Sequence, residues 1–232
     1  MDMKKDRNNT AVIIPAFNEG IKIGKVIEGV RRQGIPPENI IVVDDGSSDR
    51  TAREASARGA YVIEHQRNMG KGAALSSGFR EAASRQNLSA VITIDADGQH
   101  NPDLIPDFIR MFRETESDII IGDRMHDIAD MPLIRKLTNR ATSAVISALA
   151  RNRIRDSQSG YRLLSLKLLR QMDDMDSSHY DAESEILIRA GRAGAIISSI
   201  PIDTIYLDEK SSINPIIDTV RFISLVARSF FW

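Results

Sequence analysis

The chain has 232 residues, 42% of them apolar, enough to bury a substantial core as one large domain or two unequal lobes. With 31 Lys and Arg against 32 Asp and Glu, the net charge of −1 argues against nucleic acid as a partner, and the lack of cysteine excludes disulfides, thiolate metal sites and thiol catalysis. The polar start MDMKKDRNNT has no apolar signal segment, and no window approaches the roughly 20 apolar residues of a membrane span.

Residues 1–10 are expected to be disordered or frayed. From there short apolar runs alternate with helical patterns: AVIIP (11–15), IIVVDD (40–45), YVIE (61–64), VITID (91–95) and DIIIG (118–122) read as strands buried on both faces, as in a parallel sheet. Ile23, Val26, Ile27 and Val30 share a helical face that stops at Gly34, and a second helix is predicted from about Ser48 to Arg58. A third follows NMGKGAALSSGF, and a fourth opens at Asn101 and Pro102. The segment 11–125 is thus predicted to be a doubly wound α/β layer, in which ligands bind at the carboxyl ends of the strands. Asn18, Glu19, Asp44, Asp45, Asp95 and Asp97 all fall at such ends.

After IGDRM the pattern changes. Residues 126–132 read as a loop, and Ile134, Leu137, Ala141, Val145, Ala148 and Leu149 mark a long amphipathic helix. DSQSGYRLLS is a turn leading into a strand, AESEILIRAGRAG a short helix, and IISSIPIDTIYL one or two strands. With no low-complexity linker, 126–213 is expected to pack on the same domain. Residues 214–232 form a C-terminal amphipathic helix, with Ile216, Val220, Ile223, Ala227 and Phe230 on one face, Arg221 and Arg228 as cationic groups, and Phe231 and Trp232 suited to a headgroup boundary.

Asp95 and Asp97, at positions i and i+2, point the same way if the strand persists that far, and could converge on one hard cation such as Mg2+ or Mn2+ carrying a diphosphate. They could equally cap the following helix. DDGSSDRT is harder to read as a cap alone, because two carboxylates precede a glycine at a strand end. NMGKGAA is a candidate anion-facing loop without a P-loop or dinucleotide pattern, and its Lys71 is either a phosphate contact or a helix-start lysine.

AVIIPAFNE, VVDDGSSDRT, NMGKGAA, IDADGQH, IGDR and DSQSGYR, in this order and spacing, resemble the inverting family 2 glycosyltransferases of GT-A fold, and within them the dolichyl or polyprenyl phosphate glycosyltransferases such as dolichol phosphate mannose synthases. The resemblance spans about residues 11–213. It implies that Pro15, Ala16, Asn18, Glu19 and Asp45 surround the nucleotide of a nucleoside diphosphate sugar, with Lys71 and Asp95 also on the donor side. Asp95, Asp97 and Gln99 would hold the divalent cation, Mg2+ or Mn2+. Arg124 and Arg135 match positions that bind the acceptor phosphate, with Asn139 near them and Lys210 and Ser211 in a neighbouring loop; Asp97, Arg124 and Arg135 are the implied catalytic set. This chain has Asp123 where a serine commonly precedes the arginine.

A lipid phosphate nucleophile is already anionic and needs no strong base, so arginines would be its critical partners. A hydroxyl nucleophile would need a carboxylate, for which Asp181, Glu183 and Glu185 are candidates. The expected partners are a nucleoside diphosphate sugar, a polyprenyl phosphate and the cytoplasmic face of a membrane, with homo-oligomerisation through the last helix as another use of that face. A sugar-phosphate nucleotidyltransferase would carry a basic glycine-rich first loop where PAFNEG is acidic, and a non-catalytic binding protein would have no need of the retained Asp45, Asp95, Asp97, Gln99 and Arg124.

Overall fold

The computed structural model describes residues 3–126, 133–172, 182–203 and 215–231. Its strands are β1 Thr10–Ala16, β2 Ile40–Asp44, β3 Tyr61–Glu64, β4 Ala90–Thr93, β5 Ile119–Asp123, β6 Arg162–Ser165 and β7 Ile197–Pro201. Its α-helices are α1 Met3–Asn8, α2 Ile23–Arg32, α3 Thr51–Ser56, α4 Lys71–Ser84, α5 Ile105–Thr115, α6 Leu133–Ala150, α7 Leu166–Gln171, α8 Ala182–Arg192 and α9 Pro215–Ser229.

The seven strands make one sheet in the order β3-β2-β1-β4-β6-β5-β7. Successive side chains on a strand point to opposite faces. Val12, Ile14, Val42, Ile92 and Ile120 accordingly pack on α2, α3 and α5, while Ile13, Ile41, Val91, Ile119 and Leu164 pack on α4, α6, α7 and α8. Cover on both faces explains why β1, β2, β4 and β5 read as continuous apolar runs, whereas β3, expected to be buried on both faces, is an edge strand with Tyr61 and Glu64 exposed.

The sheet is parallel except for β6, which runs antiparallel between β4 and β5. Its insertion separates strands that follow one another in sequence, a pairing that periodicity does not encode. The consequence is functional. The carboxyl ends of β1, β2, β4, β5 and β7 and the amino end of β6 all meet at one edge, as Ala16 pairs with Asp44, Thr93 with Arg162 and Asp123 with Pro201. The chain order reverses between β1 and β4, which places a crevice between the loops that leave them.

Four further expectations need correction. α4 begins at Lys71, inside the stretch NMGKGAALSSGF rather than after it, because Gly70 at positive φ (93°) ends the loop there. Residues 3–8 are helical rather than frayed, tied down by Thr10 Oγ1 donating to the Asp6 carbonyl at 2.8 Å and Asn39 Nδ2 donating to the Asn8 carbonyl at 2.8 Å. α3 starts at Thr51 instead of Ser48, because the Asp49 carboxylate accepts from the N–H groups of Thr51 and Gly20 and holds Ser48 and Asp49 in the loop. β4 ends at Thr93, so Asp95 and Asp97 lie on a turn, and alternation along a strand cannot be what brings them together. The predicted loop over 127–132 falls outside the described residues.

α8 crosses the end of α6 at Gly191, where an added Cβ would come 2.3 Å from the Ala150 carbonyl oxygen. Ala is the better helix former by about 1 kcal/mol. Even so, Gly191→Ala is expected to destabilise the fold by about 1–3 kcal/mol, since backbone on the far side cannot yield as a side chain can. Denaturant unfolding reads this as a lowered midpoint at constant slope, and an unchanged midpoint would show that the crossing relaxes.

Candidate active site at the carboxyl edge of the sheet

The loops after β1 and β2 brace each other. Asn18 adopts the left-handed conformation (φ 56°), with its N–H on Ser47 Oγ at 2.8 Å and its Oδ1 accepting from the Ser48 N–H at 2.9 Å. The Glu19 N–H donates to Thr51 Oγ1, and Asp44 accepts from the Ser47 N–H and hydroxyl. Glu19 pairs with Lys22 at 3.4 Å; burial raises its pKa, the Lys22 ammonium partly offsets this, and the charge of Asp97 adds to the rise. Pro15 and Ala16 belong to β1 itself, and Ala16 is buried, so its side chain faces the core. Phe17, passed over in the sequence, follows β1 directly and is 45% exposed.

Asp45 is buried and engaged by protein donors. Its Oδ1 accepts from the Met69 N–H at 2.9 Å, its Oδ2 from the Gly70 N–H at 2.7 Å, and His65 Nδ1 lies 2.7 Å from Oδ1. His65 Nε2 in turn meets Ser77 Oγ at 2.9 Å. The carboxylate therefore clamps the loop that opens α4. A Cβ on Gly46 would strike the backbone of Arg67 at 2.4 Å, so only glycine lets this loop close over β2.

The clamp sets the position of Lys71, the first residue of α4. Its Nζ lies 2.6 Å from Asp95 Oδ1 and 3.5 Å from Glu183 Oε1. Burial opposes the ammonium, but the two carboxylates outweigh it and raise the Lys71 pKa. Burial likewise opposes ionised Asp95, yet Lys71 outweighs it and holds this carboxyl at about 2. Glu183 Oε1 is buried and accepts no hydrogen bond among the described residues. Gly160 lies over the pair: a Cβ there would come 2.8 Å from both Lys71 Nζ and Asp95 Oδ2. Thr93 Oγ1 pins this loop by donating to the Gly160 carbonyl at 2.8 Å.

His100 accepts the Asp95 N–H on Nδ1 at 3.3 Å and stacks on Tyr161 at 5.2 Å between centroids. Burial lowers its pKa, so the ring is neutral and its 3.9 Å approach to Asp95 Oδ2 is no ion pair. Asp97, partly exposed, accepts the Gln99 N–H at 2.9 Å.

Arg124 follows β5 directly and lays Nε and Nη2 on the two oxygens of Asp156 at 2.7 and 2.9 Å. Asp156 has no exposed side-chain surface, and Asn139 Nδ2 completes its shell at 2.9 Å. Asn139 is thus a buried support for Asp156 instead of a surface facing an acceptor. Asp123, in the commonly serine position, is buried, accepts the Met125 N–H at 2.8 Å and shapes the turn that carries Arg124. Arg162 is buried and donates to the carbonyls of Ser157, Ser159 and Glu183, which ties β6 and α8 to the DSQSG loop.

The structure thus brings together Glu19, Lys71, Asp95, Asp97, Gln99, Arg124 and Glu183 along one edge. Glu185 is corrected as a candidate base: it is buried and taken by Arg189 at 2.7 Å. The side chain of Arg135 lies outside the described residues, as do Asp181, His179, Lys210 and Ser211. Asp156, His65 and Arg162 were missed, although an aspartate two residues before the QSG turn and a histidine at the end of β3 sit at the same strand ends that flagged the others.

The family model described as Glycosyl transferase family 2 matches residues 11–176. The UDP-N-acetylglucosamine–dolichyl-phosphate N-acetylglucosaminyltransferase of Methanococcus voltae is 31% identical over 218 residues, covering 85% of this chain and 86% of that protein. The undecaprenyl-phosphate mannosyltransferase of Micrococcus luteus is 30% identical over 200 residues, covering 82% and 81%. Glucosyl-3-phosphoglycerate synthase from Mycobacterium tuberculosis superposes with a TM-score of 0.75 at 21% identity, covering 98% of this chain and 82% of that one, and has been solved with Mn2+ and UDP. The sheet is that of a GT-A fold, and the chain belongs to glycosyl transferase family 2.

Proposed function

We propose that this chain transfers a hexosyl group, with inversion, from a nucleoside diphosphate sugar to a polyprenyl or dolichyl phosphate at a membrane surface. The observation that carries the reading is the paired arrangement at the sheet edge: Asp95 beside Lys71, with Asp97 two residues on, on the donor side, and Arg124 held by Asp156 on the other. The names of the curated relatives support the acceptor class.

The donor set suits a hard divalent cation. Two carboxylates and an amide oxygen offer oxygen ligands alone, and Mg2+ or Mn2+ commonly takes one or two protein carboxylates and completes its shell with substrate phosphate and water. Asp95, Asp97 and Gln99 would hold it, and its chemistry is to neutralise the diphosphate as it leaves. The exposed ring of Phe17 would lie against the nucleotide base, and Asp45, which holds the Met69–Gly70 loop, would border the nucleotide with Glu19.

On the acceptor side, an anionic phosphate oxygen attacks the anomeric carbon while the bond to the diphosphate oxygen breaks, releasing a nucleoside diphosphate. No proton has to be removed. The Asp156 fork uses Nε and Nη2 of Arg124, so the guanidinium retains N–H groups for the phosphate. Arg135, Lys210 and Ser211 complete the acceptor side in this proposal. If the nucleophile were a hydroxyl, Glu183 would be the base, with Asp181 its alternative; its unbonded Oε1 is the feature that keeps this reading open.

The membrane contact is assigned to α9. Leu225 and Ser229 are fully buried and Phe222 is partly so, whereas Ile223, Phe230 and Phe231 are 62%, 71% and 89% exposed. Arg228 sits beside them, and Leu133 and Leu137 on α6 are also exposed. The side chains of Ile216, Val220 and Arg221, and Trp232, lie outside the described residues.

Three outcomes test this reading. Asp97→Ala, and excess chelator on the unaltered enzyme, are each expected to lower release of nucleoside diphosphate by about a hundredfold or more while leaving the thermal unfolding midpoint in place; full turnover in chelator removes the cation, and pyrophosphate as product removes the reaction. Arg124→Lys keeps the charge that buried Asp156 requires but loses the fork, and is expected to raise the acceptor KM by about tenfold with nucleotide affinity unchanged; an unchanged acceptor KM takes Arg124 out of the acceptor site. The double substitution Phe230→Ser with Phe231→Ser should weaken sedimentation with anionic liposomes without uncovering Leu225, and equal sedimentation would exclude the end of α9 as the contact.

A further inference from the structure

The ion pair at the centre of the site has an unusual composition. Lys71 Nζ sits 2.6 Å from one oxygen of Asp95, a residue read above as a cation ligand, and 3.5 Å from Glu183 Oε1. A single ammonium therefore stands between two carboxylates from different parts of the chain, one on the turn after β4 and one on α8. Two further features hold it there. The Asp45 clamp on Met69 and Gly70 places the first residue of α4, and Gly160 leaves an opening that a Cβ would fill at 2.8 Å from both Nζ and Asp95 Oδ2.

From this geometry we infer that Lys71 is an internal counter-cation that occupies Asp95 in the free enzyme and must yield it before a divalent cation can bind. The inference rests on the reading of Asp95 and Asp97 as the cation ligands. Glu183 is the second half of the device: its Oε1, without a hydrogen-bond partner among the described residues and 3.5 Å from Lys71 Nζ, is the acceptor to which Lys71 transfers when Asp95 is claimed. The free protein then binds Mg2+ or Mn2+ weakly, because each binding event must displace an ammonium from a contact that both charges favour. A nucleoside diphosphate reverses the balance by supplying phosphate oxygens to the cation and further anionic charge to the released Lys71. Cation and nucleotide thus enter as one complex, and the coupling between them is a property of Lys71. The site is kept from holding a bare cation without a donor.

The test is Mn2+ binding followed by the electron paramagnetic resonance signal of the free ion, on the whole chain without substrate sugar. Lys71→Met is expected to tighten binding of Mn2+ alone by about tenfold or more, whereas Lys71→Arg, which keeps the charge, leaves it weak. With UDP or GDP present the unaltered protein should bind Mn2+ much more tightly than without, and this enhancement should shrink in Lys71→Met. Where Lys71→Met folds poorly, Lys71→Gln keeps a hydrogen-bond donor without the charge and should behave alike; Mn2+ alone should then raise the unfolding midpoint of the neutral variant more than that of the unaltered chain. A lysine serving only to stabilise the fold would lower the midpoint of the neutral variants with no gain in Mn2+ affinity, and that result overturns the proposal. Failure of the underlying ligand assignment looks different: the unaltered protein would bind no Mn2+ even with nucleoside diphosphate, or Asp97→Ala would bind it equally well.

Discussion

A parallel sheet delivers its loop carboxylates to one edge, and each of those charges must be solvated, paired or surrounded by donors; the Lys71–Asp95 contact is the pairing on which the rest of this edge depends. Around it the neighbouring aspartates are satisfied by protein donors. Asp45 takes two backbone N–H groups and His65, Asp49 takes the N–H groups of Gly20 and Thr51, and Asp156 takes the fork of Arg124. Asp97 accepts the Gln99 N–H and keeps part of its surface in water. Like charges crowded together would otherwise raise one another's pKa values and protonate. Asp95 instead stays ionised down to about pH 2, because Lys71 outweighs the cost of burial.

This arrangement has a direction. One side is built from the first four strands, where the loops after β1 and β2 interlock through Asn18, Ser47 and Thr51, and Asp45 ties the second of them to the start of α4. The other side is built from β5, β6 and the helices behind them, where Asn139 orients Asp156 and Asp156 orients Arg124. Gly160 and Arg162, at the amino end of the antiparallel strand, are the seam between the two. An ion pair as dry as Arg124–Asp156 is poor evidence of stability for its own sake, since desolvation offsets much of the Coulomb gain. Its value is in fixing a planar cation in one orientation beside a polar cleft.

The C-terminal helix belongs to the same logic of divided surfaces. α9 is held by Leu225 in the core and by Arg192 donating to the carbonyls of Leu149 and Ser229. Its opposite face ends in Phe230 and Phe231 in solvent. These two exposed rings are the groups that the proposed membrane contact uses.

Much of this was legible in the residues. The apolar runs AVIIP, IIVVDD, VITID and DIIIG located β1, β2, β4 and β5, because strands buried on both faces must be continuously apolar, and the polar clusters at their ends pointed to the candidate site, because ligands of such sheets bind there. The alternation expected from α2 and the exposed face of Ile223, Ala227 and Phe230 on α9 also follow from period alone. Tertiary structure decided the partners. Nothing in the local pattern tells β6 to enter antiparallel between β4 and β5, and that insertion brings Gly160 over Lys71 and Asp156 under Arg124. Nor does it say that Asp45 turns inward to a loop while Asp97 stays at the surface, or that Glu183 meets Lys71 while Glu185, two positions on, turns to Arg189. Residue type and spacing determine which groups arrive at the edge; which charge meets which is set by contacts between segments tens of residues apart, and only the packed sheet brings those segments together.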